Sequence, residues 1–167
     1  VRSLAAANPA SLLDTARLFA LVNMAAVDAL IAVFDAKYTY EFWRPITAIR
    51  NGDKDDNDAT MAEATWLPLI DTPMHPEYPC AHCITSSAVA AVLEASFGTD
   101  DVAPISMSSA AAPGITHTWT RIGDYAAEVR NARIWGGVHY RNSTEVGDAM
   151  GRSIGKLVVR EAILASP

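Results

Sequence analysis

Apolar residues recur at helical spacing over most of this chain. Across residues 11–38, Leu12, Leu13, Ala16, Phe19, Leu21, Met24, Val27, Leu30, Ile31 and Phe34 fall at steps of mostly three or four. The pattern predicts one long helix, capped by Ser11 or Asn8, and so wide an apolar face predicts burial on several sides. Pro45 then interrupts, and 46–50 predicts a short second helix. Residues 60–69 predict another short helix ended by Pro68, and 80–97 an Ala- and Val-rich one ended by Gly98. Residues 99–120 mix Ser, Ala, Pro and Gly and predict a loop. Helical spacing returns over 122–135, breaks at Gly136-Gly137, and returns over 143–165 through Val146, Ala149, Met150, Ile154, Leu157, Val158 and Ile163. No strand pattern of any length stands out. The expectation is an all-α bundle of about five helices forming one domain over 1–167.

Composition narrows the classes of function. Half of the 167 residues are hydrophobic and 19% are charged, enough apolar surface for a core and too little charge for a disordered tail. The net charge of −6 argues against sequence-independent nucleic-acid binding, which needs a basic surface. The run 18–34 is nearly all apolar but short for a membrane span. It also carries Asp28 at mid-length, so a buried core helix is expected and no membrane span. The acidic stretch 51–58 has alternating carboxylates that hint at calcium. Counted from Asp53, however, the positions needing Gly and Glu hold Asp58 and Ala64, so calcium is not expected; with two cysteines and no second Cys pair, neither is zinc. The chain begins at Val1, which fits a processed or partial product. A soluble protein is expected, with a secreted or vacuolar product one option for its compartment and a homo-oligomer left open.

Three segments concentrate cations and imidazoles beside Pro and Gly. The first runs from Lys37 to Arg44-Pro45. Seven residues are nearly two helical turns, so both cations can point one way. The second is His75-Pro-Glu-Tyr-Pro79-Cys80-Ala81-His82. With Pro79 as the first helical residue, the Cys80, Ala81 and His82 amides would stand at a free helix N-terminus, a ready anion site, with His82 beside it for proton transfer. Cys80 and Cys83 also form a Cys-x-x-Cys pair, for which a merely buried pair is favoured over redox or zinc chemistry. The third segment carries Arg133 and His139 on either side of Gly136-Gly137, a break that lets both return to one point. Alone, each segment is as easily a solvated helix end. Together they supply a Lys, two Arg, two His and a helix N-terminus, a set suited to a tetrahedral or trigonal-bipyramidal oxyanion. Asn142-Ser143-Thr144 is the one glycosylation sequon; its closeness to His139 predicts that it stays unused.

The three segments, in this order, resemble those of the vanadium-dependent haloperoxidases and the related type 2 phosphatidic acid phosphatases. The family pattern is K-x6-R-P, then P-S-G-H, then S-R-x5-H-x3-D. Here it reads Lys37 to Arg44-Pro45, then Pro79-Cys80-Ala81-His82, then Ala132-Arg133 to His139. The strings FWRPITAIR, HPEYP and ARIWGGVHYRNS are most similar to the soluble haloperoxidase-like branch. The resemblance implies a haloperoxidase-like helical bundle and vanadate as cofactor. Lys37, Arg44 and Arg133 would hold the oxyanion together with the Cys80-Ala81 turn. His139 would ligate vanadium, or be the nucleophile of a phosphatase, and His82 would be the acid–base partner. Hydrogen peroxide and a halide, or a phosphomonoester, would be the substrates. Cys80, Ala81, Ala132 and Ser143 depart from the pattern, standing where it has Ser, Gly, Ser and Asp. A non-catalytic relative that keeps an oxyanion pocket is therefore the alternative, and Glu145 is a candidate to orient His139 in place of the Asp. Family haloperoxidases are longer, so the chain would be the motif-bearing C-terminal part of a precursor.

Overall fold

A computed structural model of the chain describes residues 1–8, 10–110 and 112–164, with the side chains of Ile163 and Leu164 outside the description. The elements in order are α1 (Arg2–Ala7), α2 (Leu12–Tyr40), α3 (Pro45–Arg50), a 3-10 turn (Gly52–Lys54), α4 (Ala81–Phe97), β1 (Asp101–Ser109), β2 (Ala112–Arg121), α5 (Ile122–Trp135) and α6 (Arg141–Leu164). The long helices agree with the sequence pattern to within two residues at each described end. The predicted tail of the last one at Ala165 lies outside the described residues.

In α2 the Ser11 hydroxyl accepts from the Asp14 amide at 3.0 Å, the expected cap. Leu18, Leu21, Val22, Ala25, Ala29 and Val33 form its buried stripe, and the step of four from Val33 lands on Lys37, also fully buried. The helical repeat thus carries the core directly into a buried ammonium. Burial is one-sided, contrary to the expectation from the width of the apolar face. Met24, Val27, Ile31, Phe34 and Tyr38 make a second stripe that stays exposed. By length and composition alone α2 could cross a membrane; here its buried stripe packs against α4 and α6.

The α4–α6 contact sets the positions of the chemistry-bearing segments. Gly147, Gly151 and Gly155 line one face of α6 at steps of four. A Cβ on Gly151 would lie 2.2 Å from the Ile84 carbonyl oxygen, and one on Gly155 2.4 Å from that of Ala88. Only hydrogen fits there, so the two backbones run in direct contact. Their N-terminal ends meet where the Cys80 amide donates to the Ser143 carbonyl at 3.2 Å.

Two sequence expectations fail. The fold is not all-α: Asp101–Ser109 and Ala112–Arg121, in the stretch expected as loop, pair as antiparallel strands in which Ile105 faces Trp119 and Met107 faces His117. The signal was present in 115–121, where Thr116, Thr118 and Thr120 alternate with Ile115, His117 and Trp119. β-Branched residues at a period of two favour a strand even on an exposed surface. The hairpin is fixed to α5 by Trp119, whose indole donates to Glu128 at 2.7 Å and whose ring packs edge-on to Tyr125. The helix expected over 60–69 is irregular chain instead. Two of its backbone bonds go to other segments, Glu63 N–H donating to the Ile49 carbonyl and Leu69 N–H to that of Gly136, and Trp66 N–H closes a single turn onto the Glu63 carbonyl.

Gly151→Ala is expected to lower unfolding free energy by about 1–3 kcal/mol, because the methyl has no space to enter. Ser153→Ala on the exposed face should change it far less. Urea unfolding checks both, and equal stabilities would contradict the backbone contact.

Candidate oxyanion site

Four segments converge beside the N-terminal end of α4. Lys37 comes from the last turn of α2, Arg44 from the N-cap of α3, Arg133 from the last turn of α5 and His139 from the turn before α6. Gly137 makes that turn possible. Its φ of 74° is in the left-handed region, and Pro68 and Trp66 press on the space a side chain would need.

Buried backbone carbonyls hold the cations. Lys37 Nζ donates to the Pro76 and Glu77 carbonyls at 2.8 and 2.9 Å. Arg44 donates through Nε to the His75 carbonyl at 3.0 Å and through Nη1 to the Val138 carbonyl at 2.8 Å. The same Nη1 lies 3.1 Å from His139 Nε2. A guanidinium only donates, so this Nε2 is the unprotonated nitrogen. His139 Nδ1 lies 2.7 Å from Glu77 Oε1, which also accepts from the Tyr140 amide at 3.0 Å. The ring is therefore neutral, with its proton on Nδ1 and its lone pair toward Arg44.

The charge state reflects crowding. Burial, then Arg44, pushes the Lys37 ammonium down to about 7; Glu77 opposes this and Arg133 adds to it. Arg44 falls to about 10 through burial, opposed by Glu77 and reinforced by Arg133. Burial also lowers Arg133, whose Nε finds no hydrogen-bond partner among the described residues. His82 falls to about 4, from partial burial and then repulsion by Arg133, His75, Arg44 and Lys37. Three cations thus share a pocket with a single buried carboxylate, and one buried guanidinium N–H is unpaired. An anion with several oxygens would relieve both the repulsion and the orphaned donor, so these residues fit vanadate or phosphate.

The predicted site residues are brought together unevenly. Lys37 and Arg44 act electrostatically on both His139 and His82, and Arg133 acts on Lys37, Arg44 and His82 but not on His139; the two imidazoles are not paired with each other. Pro79 lies outside the helix rather than at its first position. Cys80 is the N-cap, with its amide taken by Ser143 and its Sγ accepting from the Cys83 amide. That leaves the Ala81 and His82 amides at the helix end for an anion. Cys80 and Cys83 are both buried and form a disulfide, so Cys80 has no S–H to donate. Glu145 is exposed on α6, and Glu77 is the carboxylate on His139. Sequence reasoning missed Glu77, whose only signal was a carboxylate inside the HPEYP string. It also left out His75, whose Nδ1 lies 3.1 Å from Arg44 Nη2 and whose ring meets Phe34 edge-on. A cavity of about 650 Å³ opens on the other side of Glu77, between Tyr40, Phe42, Trp43, Tyr78 and Tyr140.

This geometry defines a helical bundle in which three cations and a neutral imidazole gather beside one helix N-terminus. Residues 17–164 match the VCPO second helical-bundle domain, and the chain belongs to that family. It is 35% identical over 82 residues to the vanadium chloroperoxidase of Curvularia inaequalis, a stretch covering 46% of this chain and 14% of that protein. The crystal structure of the first bacterial vanadium-dependent iodoperoxidase superposes with a TM-score of 0.79 at 29% identity, over 94% of this chain and 36% of that one. A holo bacterial vanadium-dependent chloroperoxidase shares the fold, with a TM-score of 0.70 at 22% identity over 84% of this chain and 34% of that one. The chain thus spans about a third or less of the length of these relatives.

The buried neutral His139 gives a pH prediction. Burial holds its pKa near 4, against an ordinary 6.5, although the Glu77 hydrogen bond pulls the other way. The unfolded chain therefore takes up this proton first as pH falls, so stability present above pH 6.5 is lost down to about pH 4. The loss should reach about 1–3 kcal/mol. Melting temperatures across this range should fall less steeply in His139→Gln. Parallel profiles would contradict the assignment.

Proposed function

We propose that this chain carries the vanadate site of a vanadium-dependent haloperoxidase, which oxidises halide with hydrogen peroxide. The observation that carries the reading is His139. Its Nε2 lone pair is directed at buried Arg44 while its Nδ1 proton is held by Glu77. A neutral imidazole with a fixed tautomer is what ligation of an oxyanion's central atom requires. Lys37, Arg44 and Arg133 would hold the anion's oxygens, assisted by the Ala81 and His82 amides. When bound, vanadate supplies a Lewis-acidic centre on which peroxide is activated.

The protein's own contribution is positioning and protons. The cations would neutralise the anion's charge, and Lys37 and Arg44 are themselves buried, where such contacts are strongest. His82, neutral and partly open to solvent, can take a proton from an incoming hydroperoxide and return one to a leaving oxygen. The Cys80–Cys83 disulfide removes the side-chain donor that the family pattern has at position 80. Loss of one such donor costs about 100-fold or more in rate, which supports the slower or non-catalytic alternative as a second reading.

The test is purified protein assayed with and without orthovanadate for peroxide-dependent oxidation of chloride, bromide and iodide. Activity that requires vanadate is expected. His139→Ala should abolish both vanadate retention and turnover. His82→Ala should leave anion binding largely intact while cutting turnover by about 100- to 10,000-fold. Hydrolysis of phosphomonoesters without vanadate, in place of halide oxidation, would assign the site to phosphatase chemistry. Anion binding without turnover in either assay would establish the non-catalytic reading.

A further inference from the structure

We propose that Glu77 is the positioning residue that fixes the orientation and tautomer of His139 for oxyanion ligation, doing from the loop before α4 what position 143 on α6, a serine here, is placed to do. The proposal rests on the oxyanion-site reading above and adds the group that makes His139 competent.

Glu77 is fully buried, and its Oε1 is bound from two directions, by His139 Nδ1 at 2.7 Å and by the Tyr140 amide at 3.0 Å. The second bond anchors the carboxylate to the backbone next to His139, so carboxylate and ring share one frame. The segment is held at its other side as well, since Glu77 N–H donates to the Phe42 carbonyl at 2.8 Å and its own carbonyl accepts from Lys37. Oε2 has no partner among the described residues. A buried carboxylate oxygen left unpaired is costly, and packing alone gives no reason to keep it. Its charge faces Lys37 and Arg44 and offsets part of their repulsion.

Ser143 shows that the same task has a second address. Its Oγ stands 3.4 Å from His139 Nδ1, and its side chain is almost fully buried. At that distance a hydroxyl orients the ring weakly, whereas a carboxylate at 143 would reach Nδ1 directly. Glu77 and Ser143 line the same cavity of about 650 Å³, so shortening one side chain leaves room to lengthen the other. The aspartate of the family pattern falls at 143. This chain lacks it and has a carboxylate at 77 instead.

The test moves the carboxylate back. In the wild-type chain, imidazole nitrogen NMR is expected to show His139 protonated on Nδ1. Glu77→Ala should free the ring to turn away from Arg44, giving a mixed or Nε2-protonated imidazole, and weaken binding of orthovanadate and inorganic phosphate by about 10- to 100-fold. Adding Ser143→Asp to Glu77→Ala should return the Nδ1–H signature and bring both affinities to within about threefold of wild type. A merely structural role for Glu77 would be served by any well-packed side chain and would show no such rescue. If Glu77→Ala does not fold, the isosteric Glu77→Gln serves. It should keep the tautomer, because the Tyr140 amide still holds an oxygen at Oε1, yet lose about 10-fold in orthovanadate affinity, because a neutral partner on Nδ1–H makes Nε2 a weaker ligand. An unchanged tautomer and affinity in Glu77→Ala would overturn the proposal, as would a folded double variant without rescue or Glu77→Gln with wild-type affinity. If the wild type binds neither anion, the oxyanion reading itself fails. The tautomer in wild type, Glu77→Ala and the double variant then decides Glu77's role alone.

Discussion

Mutual repulsion among Lys37, Arg44 and Arg133 is the constraint that the rest of this structure answers. Gathering three cations in a buried pocket is unfavourable on two counts, lost hydration and like charge, and both lower the pKa values of Lys37 and Arg44. Carbonyls from 75–77 and Val138 replace water on Lys37 and Arg44. Glu77 supplies the only buried negative charge described there, and it is shared with His139. The compensation is incomplete, as the unpaired Arg133 Nε shows. A compact anion, the ligand proposed above, would supply the remaining negative charge.

Keeping such a pocket in register demands a stiff frame. The glycine face of α6 brings its backbone onto α4, and the Cys80–Ser143 bond ties their starts together. Helix α2 continues the core stripe straight into Lys37, so the ammonium is placed by the same repeat that buries Val33 and Ala29. The hairpin and the 51–70 segment lie outside this frame and contribute no cation to the site.

The cationic chemistry was legible in the sequence because it is carried by segments with strong local signals. Arg44 precedes a proline that opens a helix, and His139 follows a glycine pair that cannot continue one. The long helices were legible for a similar reason: their apolar spacing persists for many turns. The hairpin was missed because short alternation among Thr, Ser and Ala carries little hydrophobic contrast when both faces are exposed. Glu77 was missed for a deeper reason. Its partner lies 62 positions away, whereas local spacing points to a carboxylate on α6, the helix that His139 precedes. The one-sided burial of α2 was likewise invisible, since periodicity reports an apolar face but not what covers it.

The most direct measurement is calorimetric binding of sulfate at about pH 8 in two buffers of different ionisation heat, sulfate being a tetrahedral anion that does not itself titrate there. In the free protein most Lys37 is neutral at that pH, because its pKa is held near 7. An anion among the cations reverses the electrostatic balance and raises that value, so binding should draw close to one proton from the buffer per sulfate. Affinity should fall as pH rises further. Absence of binding, or binding with no proton uptake, would contradict a crowded cationic pocket awaiting an oxyanion.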